Sequence, residues 1–166
     1  MKLKQSYSAR EVTALTGLSA RQLQWWDSRR LFSATVASRR TLAGGFTERR
    51  YSPVELYELL ALADLRHRGF SVQKLRSILK ALSQRFGVRL YDALGEGGKV
   101  TLLTDGREIY ARTESGEFFN VLRAPSQPLL VVGSEANLSG LISRVKVRRK
   151  KKRVRKITGK SKKKSL

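Results

Sequence analysis

The sequence predicts a mainly helical fold with a small β part: four short helices and a hairpin, then a small antiparallel meander and a basic tail. Three observations carry this. A helix-start signature of bulky apolar residue, Ser, and a second bulky apolar residue four positions later occurs four times before residue 76. Glycine-punctuated stretches of β-leaning residues follow the second and fourth helical segments. Charge is unevenly spread: residues 1–82 carry 15 Lys and Arg against 6 Asp and Glu, 83–141 carry 6 against 7, and 142–166 carry 14 against none, within a net charge of +22. At 166 residues the chain has room for one domain of ordinary size and an appendage. The expected organisation is a helical domain over 1–85, a Gly-rich linker over 86–99, a β-meander over 100–141 and a disordered Lys/Arg-rich tail over 142–166.

The four starts are Tyr7-Ser8 with Val12, Leu18-Ser19 with Leu23, Tyr51-Ser52 with Leu56, and Phe70-Ser71 with Leu75. Each fits N′, N-cap and N4 of a helix, and Glu11, Gln22 and Glu55 stand at N3 of the first three as capping-box partners. The fourth has Lys74 there. Pro53 falls at N1, where its missing N–H has no helical partner.

The first helix runs from Ala9 to about Thr16, and Gly17 permits a tight turn into a second helix starting at Ala20. Helix, short turn and helix make a helix-turn-helix. At about 100° per residue, Ala20, Leu23, Trp26 and Asp27 share one side of the second helix, and Arg21, Gln24, Trp25, Ser28 and Arg29 share the other. Trp26 is therefore expected in the core and Trp25 outside among cations. The next stretch, FSATVASRRTLAGGFTERRY, reads as two β pieces around a basic loop, a wing placed directly after the second helix. The third helix, Pro53 to about Arg68, carries Leu56, Leu59, Leu60 and Ala63 at helical spacing and stops at Gly69. The fourth, Val72 to about Gln84, carries Leu75, Ile78, Leu79 and Leu82.

These residues, with YSAREVTALTGLSARQLQWWD followed by RRYS and LRHRGFS in order, make residues 7–82 resemble the DNA-binding domain of the MerR family of bacterial transcription regulators. Gln24 stands where the family usually has Arg, and Trp25 and Trp26 stand in place of a tyrosine pair. Gly87, Gly95, Gly97 and Gly98 interrupt the long helix through which ligand-responsive members of the family pair. The resemblance implies a winged helix-turn-helix that binds promoter DNA as a dimer and distorts it, with RNA polymerase as a further partner.

The DNA-binding residues expected on this reading form three groups. Ser19 at the N-cap, with Arg21, Gln22, Gln24, Trp25, Arg29 and Arg30, belongs to a recognition helix of residues 20–30 in the major groove. Arg39, Arg40, Arg49 and Arg50 lie on the wing, near the sugar-phosphate backbone, and Arg66, Arg68 and Ser71 lie at the turn between the third and fourth helices.

Beyond the helices, Val100 to Thr104, Asp105-Gly106 and Arg107 to Arg112 suggest a hairpin with a two-residue turn, placing Leu102 opposite Ile109 and Val100 opposite Ala111. Ser115-Gly116 leads into Glu117 to Leu122, which would bring Phe118 and Leu122 to the same face. Leu129 to Val132 would add a fourth strand. Such a meander suits a ligand pocket, a dimer contact or a lid on the fourth helix.

The tail, ISRVKVRRKKKRVRKITGKSKKKSL, is like-charged and low in complexity, a composition expected to be disordered and to bind phosphates without reading bases. With no cysteine and one histidine, His67, thiolate and histidine-cluster metal sites, disulfides and redox switches are not expected. No nucleophile–base spacing or phosphate-binding glycine motif marks an enzyme, so neither catalytic residues nor a cofactor are expected. MKLKQSYSAR lacks an apolar h-region, and no 18-residue apolar run follows, so a cytoplasmic, nucleoid-associated protein without membrane contact is expected. The leading reading is a sequence-preferring, double-stranded-DNA-binding transcription regulator. The alternative is a nucleoid-associated or RNA-associated structural protein dominated by its tail.

Overall fold

The computed structural model describes residues 3–40, 42, 44 and 47–130, Arg39 by its backbone alone. The expectations for residues 131–166, the disordered tail among them, lie outside the described residues. Four α-helices form as the Ser signatures require: α1 (Ala9–Thr16), α2 (Ala20–Ser28), α3 (Pro53–His67) and α4 (Val72–Ala81). Ser8, Ser19, Ser52 and Ser71 each accept the N3 backbone N–H, and Glu11, Gln22 and Glu55 return the bond to the N-cap backbone. Each cap is worth about 1 kcal/mol.

The C-termini differ more than the starts. Both α2 and α3 close with a Schellman motif: Leu31 N–H bonds Trp26 O and Arg30 N–H bonds Asp27 O, as Phe70 N–H bonds Leu65 O and Gly69 N–H bonds Arg66 O. The left-handed position after α3 is Gly69 at φ 96°, but after α2 it is Arg30 at φ 53°. A side chain there clashes with its own backbone, a cost that glycine escapes. The chain departs from the expected single helix after Ala81: α4 ends, and Leu82–Phe86 forms a π-helical turn.

One cluster of buried residues runs from Val12, Leu23 and Trp26 through Leu59, Leu62, Leu75 and Ile78 to Ile109, Ala111, Phe119 and Val121. Leu62 is fully buried where Leu60 was expected, and Leu60 is 38% exposed. The reason is that α3 is apolar on more than one side, so a four-residue stripe does not fix its phase. Residues 86–99, expected as a linker, carry a 3-10 turn at Tyr91–Ala93 and bury Leu90 and Ala93. There Gly98 has no room for a β-carbon, which would lie 2.5 Å from the Asp92 carbonyl oxygen.

Two sheets accompany the helices. The first has order β1–β3–β2, from Tyr7–Ser8, Thr47–Tyr51 and Val36–Arg40 respectively, with Tyr7 opposite Tyr51 and an irregularity between Val36 and Arg39. The second has order β4–β5–β6–β7, from Val100–Thr104, Ile109–Thr113, Phe118–Asn120 and Ala124–Leu129. Its first hairpin differs from the expected two-residue turn. Thr104 pairs with Ile109 and Leu102 with Ala111, because Asp105 Oδ1 accepts from both Arg107 N and Glu108 N and folds four residues into the loop. The shift is two residues, so the same side chains face the core. The next hairpin is shifted by one. Ala111 lies opposite Phe119, so Phe119 and Val121 are buried, rather than Phe118 and Leu122. Thr113 and Glu117 pair through backbone and side chain, which enlarges the turn beyond Ser115-Gly116 and reverses the parity. The last strand forms over Ala124–Leu129, earlier than the expected 129–132, and holds Pro125 and Pro128, which suits the end position in the order.

Candidate nucleic-acid interface

The candidate site begins with the phase of α2. Leu23 and Trp26 are buried, Trp26 to 2% exposure, and Trp25 is 43% exposed. Arg21, Gln24, Ser28 and Arg29 are exposed beside Trp25, and the Arg29 guanidinium lies 5.8 Å from the centre of the Trp25 ring. That contact holds a flat aromatic and a cation together at the helix surface, where both can meet a phosphate or a base edge.

The other predicted residues of α2 have local duties. Ser19 Oγ and Gln22 Oε1 are occupied by the capping box, at 3.1 and 2.8 Å. Arg30 is exposed in its left-handed backbone position just beyond the helix.

In the hairpin, Arg40 is exposed and pairs with Thr47 in the strand register, and the Arg39 backbone pairs with that of Glu48. The other two arginines are already engaged. Arg49 Nη2 lies 2.7 Å from Asp27 Oδ2, and Arg50 donates to Ser6 Oγ and to the Ser6 carbonyl at 3.0 and 3.3 Å. At the α3–α4 turn, Arg66 donates to Phe70 O at 2.6 Å, Arg68 to Asp64 at 2.8 Å, and Ser71 caps α4. Of these, Arg68 is exposed and Arg66 half-buried.

The structure thus brings Arg21, Gln24, Trp25 and Arg29 to one exposed face, and the hairpin lies next to it. Between them is an open groove of about 610 Å³ lined by Leu23, Gln24, Ser38, Glu48, Arg49 and Tyr51, among others. Burial pushes the Tyr51 hydroxyl above its ordinary value, so this phenol stays neutral at the back of the groove. Among the described residues no group of His, Cys, Asp and Glu is placed to hold a metal ion, and no helix is long and apolar enough to cross a membrane.

Asp27 is the residue that sequence reasoning placed on the inner side without a role. One signal was present: it is the only acid on a helix whose other charges are arginines, and the following segment supplies four more arginines. Glu58 was also missed. It is 2% exposed on α3 and takes Arg89 in two bonds, at 2.6 and 2.8 Å, and the Tyr91 N–H at 3.0 Å, thereby fastening the segment after the π-helical turn.

A capped helix with one buried and one polar, cationic face, joined to a preceding helix by a glycine turn, defines the N-terminal part as a helix-turn-helix domain. Comparison with known proteins agrees. Residues 7–82 match the family model described as MerR HTH family regulatory protein, so this segment carries the MerR-type helix-turn-helix region. Relatives in Mycobacterium tuberculosis and Mycobacterium bovis, each named an uncharacterized HTH-type transcriptional regulator, are 27% identical over 139 residues, covering 82% of this chain. The chain spans 57% of the length of these curated relatives.

Proposed function

We propose that the protein is a MerR-type, double-stranded-DNA-binding transcription regulator. In this reading α2 lies in the major groove as recognition helix, the β2–β3 hairpin is a wing that lies on phosphates with Arg40, and the α3–α4 turn adds Arg68. The observation that carries the reading is the split of α2, with Trp26 and Leu23 inside and Arg21, Gln24, Trp25 and Arg29 outside. A solvated helix face without a ligand has little use for an exposed tryptophan capped by arginine. A helix that meets both phosphates and base edges uses each of these side chains. Gln24 offers a donor and an acceptor, the pairing suited to an adenine edge.

The 14 cations of residues 142–166 are assigned to sequence-independent phosphate contact, which adds affinity and a steep salt dependence. Binding to several duplexes over a salt series, with and without residues 142–166, tests this division. Removal of the tail should flatten the salt slope and leave a preferred duplex still preferred. Equal binding of all duplexes by the shortened chain would replace the regulator reading with that of a nucleic-acid-packaging protein led by its tail.

A further inference from the structure

We infer that Asp27 and Arg49 form a positioning clamp that sets the angle between the recognition helix and the wing, and that Arg49 serves DNA binding through Asp27 instead of through a phosphate. The inference rests on the DNA-binding reading above and assigns these two side chains within it.

Three observations converge on the pair. First, Asp27 is the only acid on α2, and a carboxylate on a helix that meets DNA repels phosphates unless it has a structural use. Its side chain is 28% exposed, turned partly away from the face of Trp25, and meets Arg49 at 2.7 Å. Second, the two residues belong to elements with no covalent reason to keep a fixed angle, since they stand 22 positions apart in the chain. Arg49, held by Asp27, lines the groove together with Gln24, Ser38 and Glu48. Third, the neighbouring Arg50 holds the same strand from the other side, through three bonds to Ser6. Strand β3 is therefore fixed to the helical domain by consecutive arginines, while Arg40 on β2 remains exposed.

The clamp and a direct phosphate contact have opposite consequences. If Arg49 contacts phosphate, Asp27 competes with the DNA, so neutralising Asp27 frees a cation and tightens binding. If the pair sets the angle of the wing, neutralising Asp27 loosens the wing and weakens binding, even though the interface has lost a negative charge.

The experiment measures binding of the full chain and its variants to the duplex that the wild-type chain recovers from a random pool, over a salt series, with thermal melts to verify folding. Asp27→Asn should bind about tenfold more weakly with an unchanged salt slope. Arg49→Gln should weaken binding to a similar degree, also without the slope decrease of about 0.9 that loss of one phosphate contact produces. The exchange Asp27→Arg/Arg49→Asp should recover binding to within about threefold, because the two sites are coupled. Binding by Asp27→Asn as tight as or tighter than wild type overturns the clamp, as does an exchanged pair no better than the single variants. A wild-type chain that recovers no duplex overturns the DNA-binding reading together with the clamp, whereas the former results leave that reading standing.

Discussion

Replacing each of the two adjacent tryptophans with alanine separates folding from binding. Trp26 is 2% exposed and stands among the largest fully buried side chains of the core. A tryptophan side chain carries roughly 200 Å² of surface, which at about 25 cal/mol per Å² corresponds to ~5 kcal/mol of transfer free energy. Some of this is retained by the alanine and by relaxation around the cavity, so about 3–5 kcal/mol of destabilisation is expected. That is a large share of the ~5–15 kcal/mol typical of a folded domain. Trp25, 43% exposed and held by Arg29 alone among the aromatic and cation contacts, should lose under about 1 kcal/mol. Urea unfolding followed by circular dichroism measures both, since it does not depend on the tryptophans. Trp25→Ala should melt like wild type and bind DNA more weakly; Trp26→Ala should unfold at much lower urea. Equal destabilisation, or the reverse order, would show that the phase assigned to α2 is wrong.

Three further expectations concern the frame around the site. At position 30, Gly should give a more stable protein than Ala by about 1 kcal/mol, because both remove the Arg30 side chain and only alanine keeps the left-handed strain at φ 53°; a urea series in which alanine equals glycine would contradict the Schellman reading. Gly98→Ala should cost about 1–3 kcal/mol, since its β-carbon would meet the Asp92 carbonyl oxygen at 2.5 Å, and an unchanged melting temperature would refute the close approach. The Glu11 carboxyl, held at about 2 instead of 4.5 first by its hydrogen bond from Lys4 and then by the Ser8 N–H, should contribute to stability fully above about pH 4.5 and lose that contribution as the pH falls through about 2. An NMR titration of Glu11 with its midpoint near 4.5 would contradict the assigned bonds.

How much of this was legible in the sequence depends on how far apart the deciding residues lie. The helix starts could be read because the N-cap serine and the two apolar residues of its staple sit within six consecutive residues, and Ser8, Ser19, Ser52 and Ser71 all cap as written, the first three with a full capping box. The split of Trp25 and Trp26 was equally local, a matter of 100° between neighbours. Strand register was not, since Thr104 and Asp105 choose the loop through side-chain bonds that compete with the Asp-Gly turn. In the following hairpin Thr113 and Glu117 change the parity and bring Phe119 inward. The pairs Asp27–Arg49 and Glu58–Arg89 join residues 22 and 31 positions apart, and no periodicity of one element announces its partner in another. Strand β1 was invisible for the same reason: two residues, Tyr7 and Ser8, pair with Tyr51 and Arg50 and carry no alternation of their own.

The central claim is that the exposed face of α2 chooses the DNA sequence and the cationic tail does not. Selection from a pool of random duplexes tests it most directly, performed with the wild-type chain, with Gln24→Ala, and with a chain lacking residues 142–166. Wild type should enrich one motif, the chain without the tail the same motif, and Gln24→Ala should show a relaxed preference at one or two base pairs, since a lost bidentate contact is worth about 1–3 kcal/mol of discrimination. An absence of enrichment in the wild-type selection, or a motif that persists in Gln24→Ala and vanishes with the tail, would contradict it.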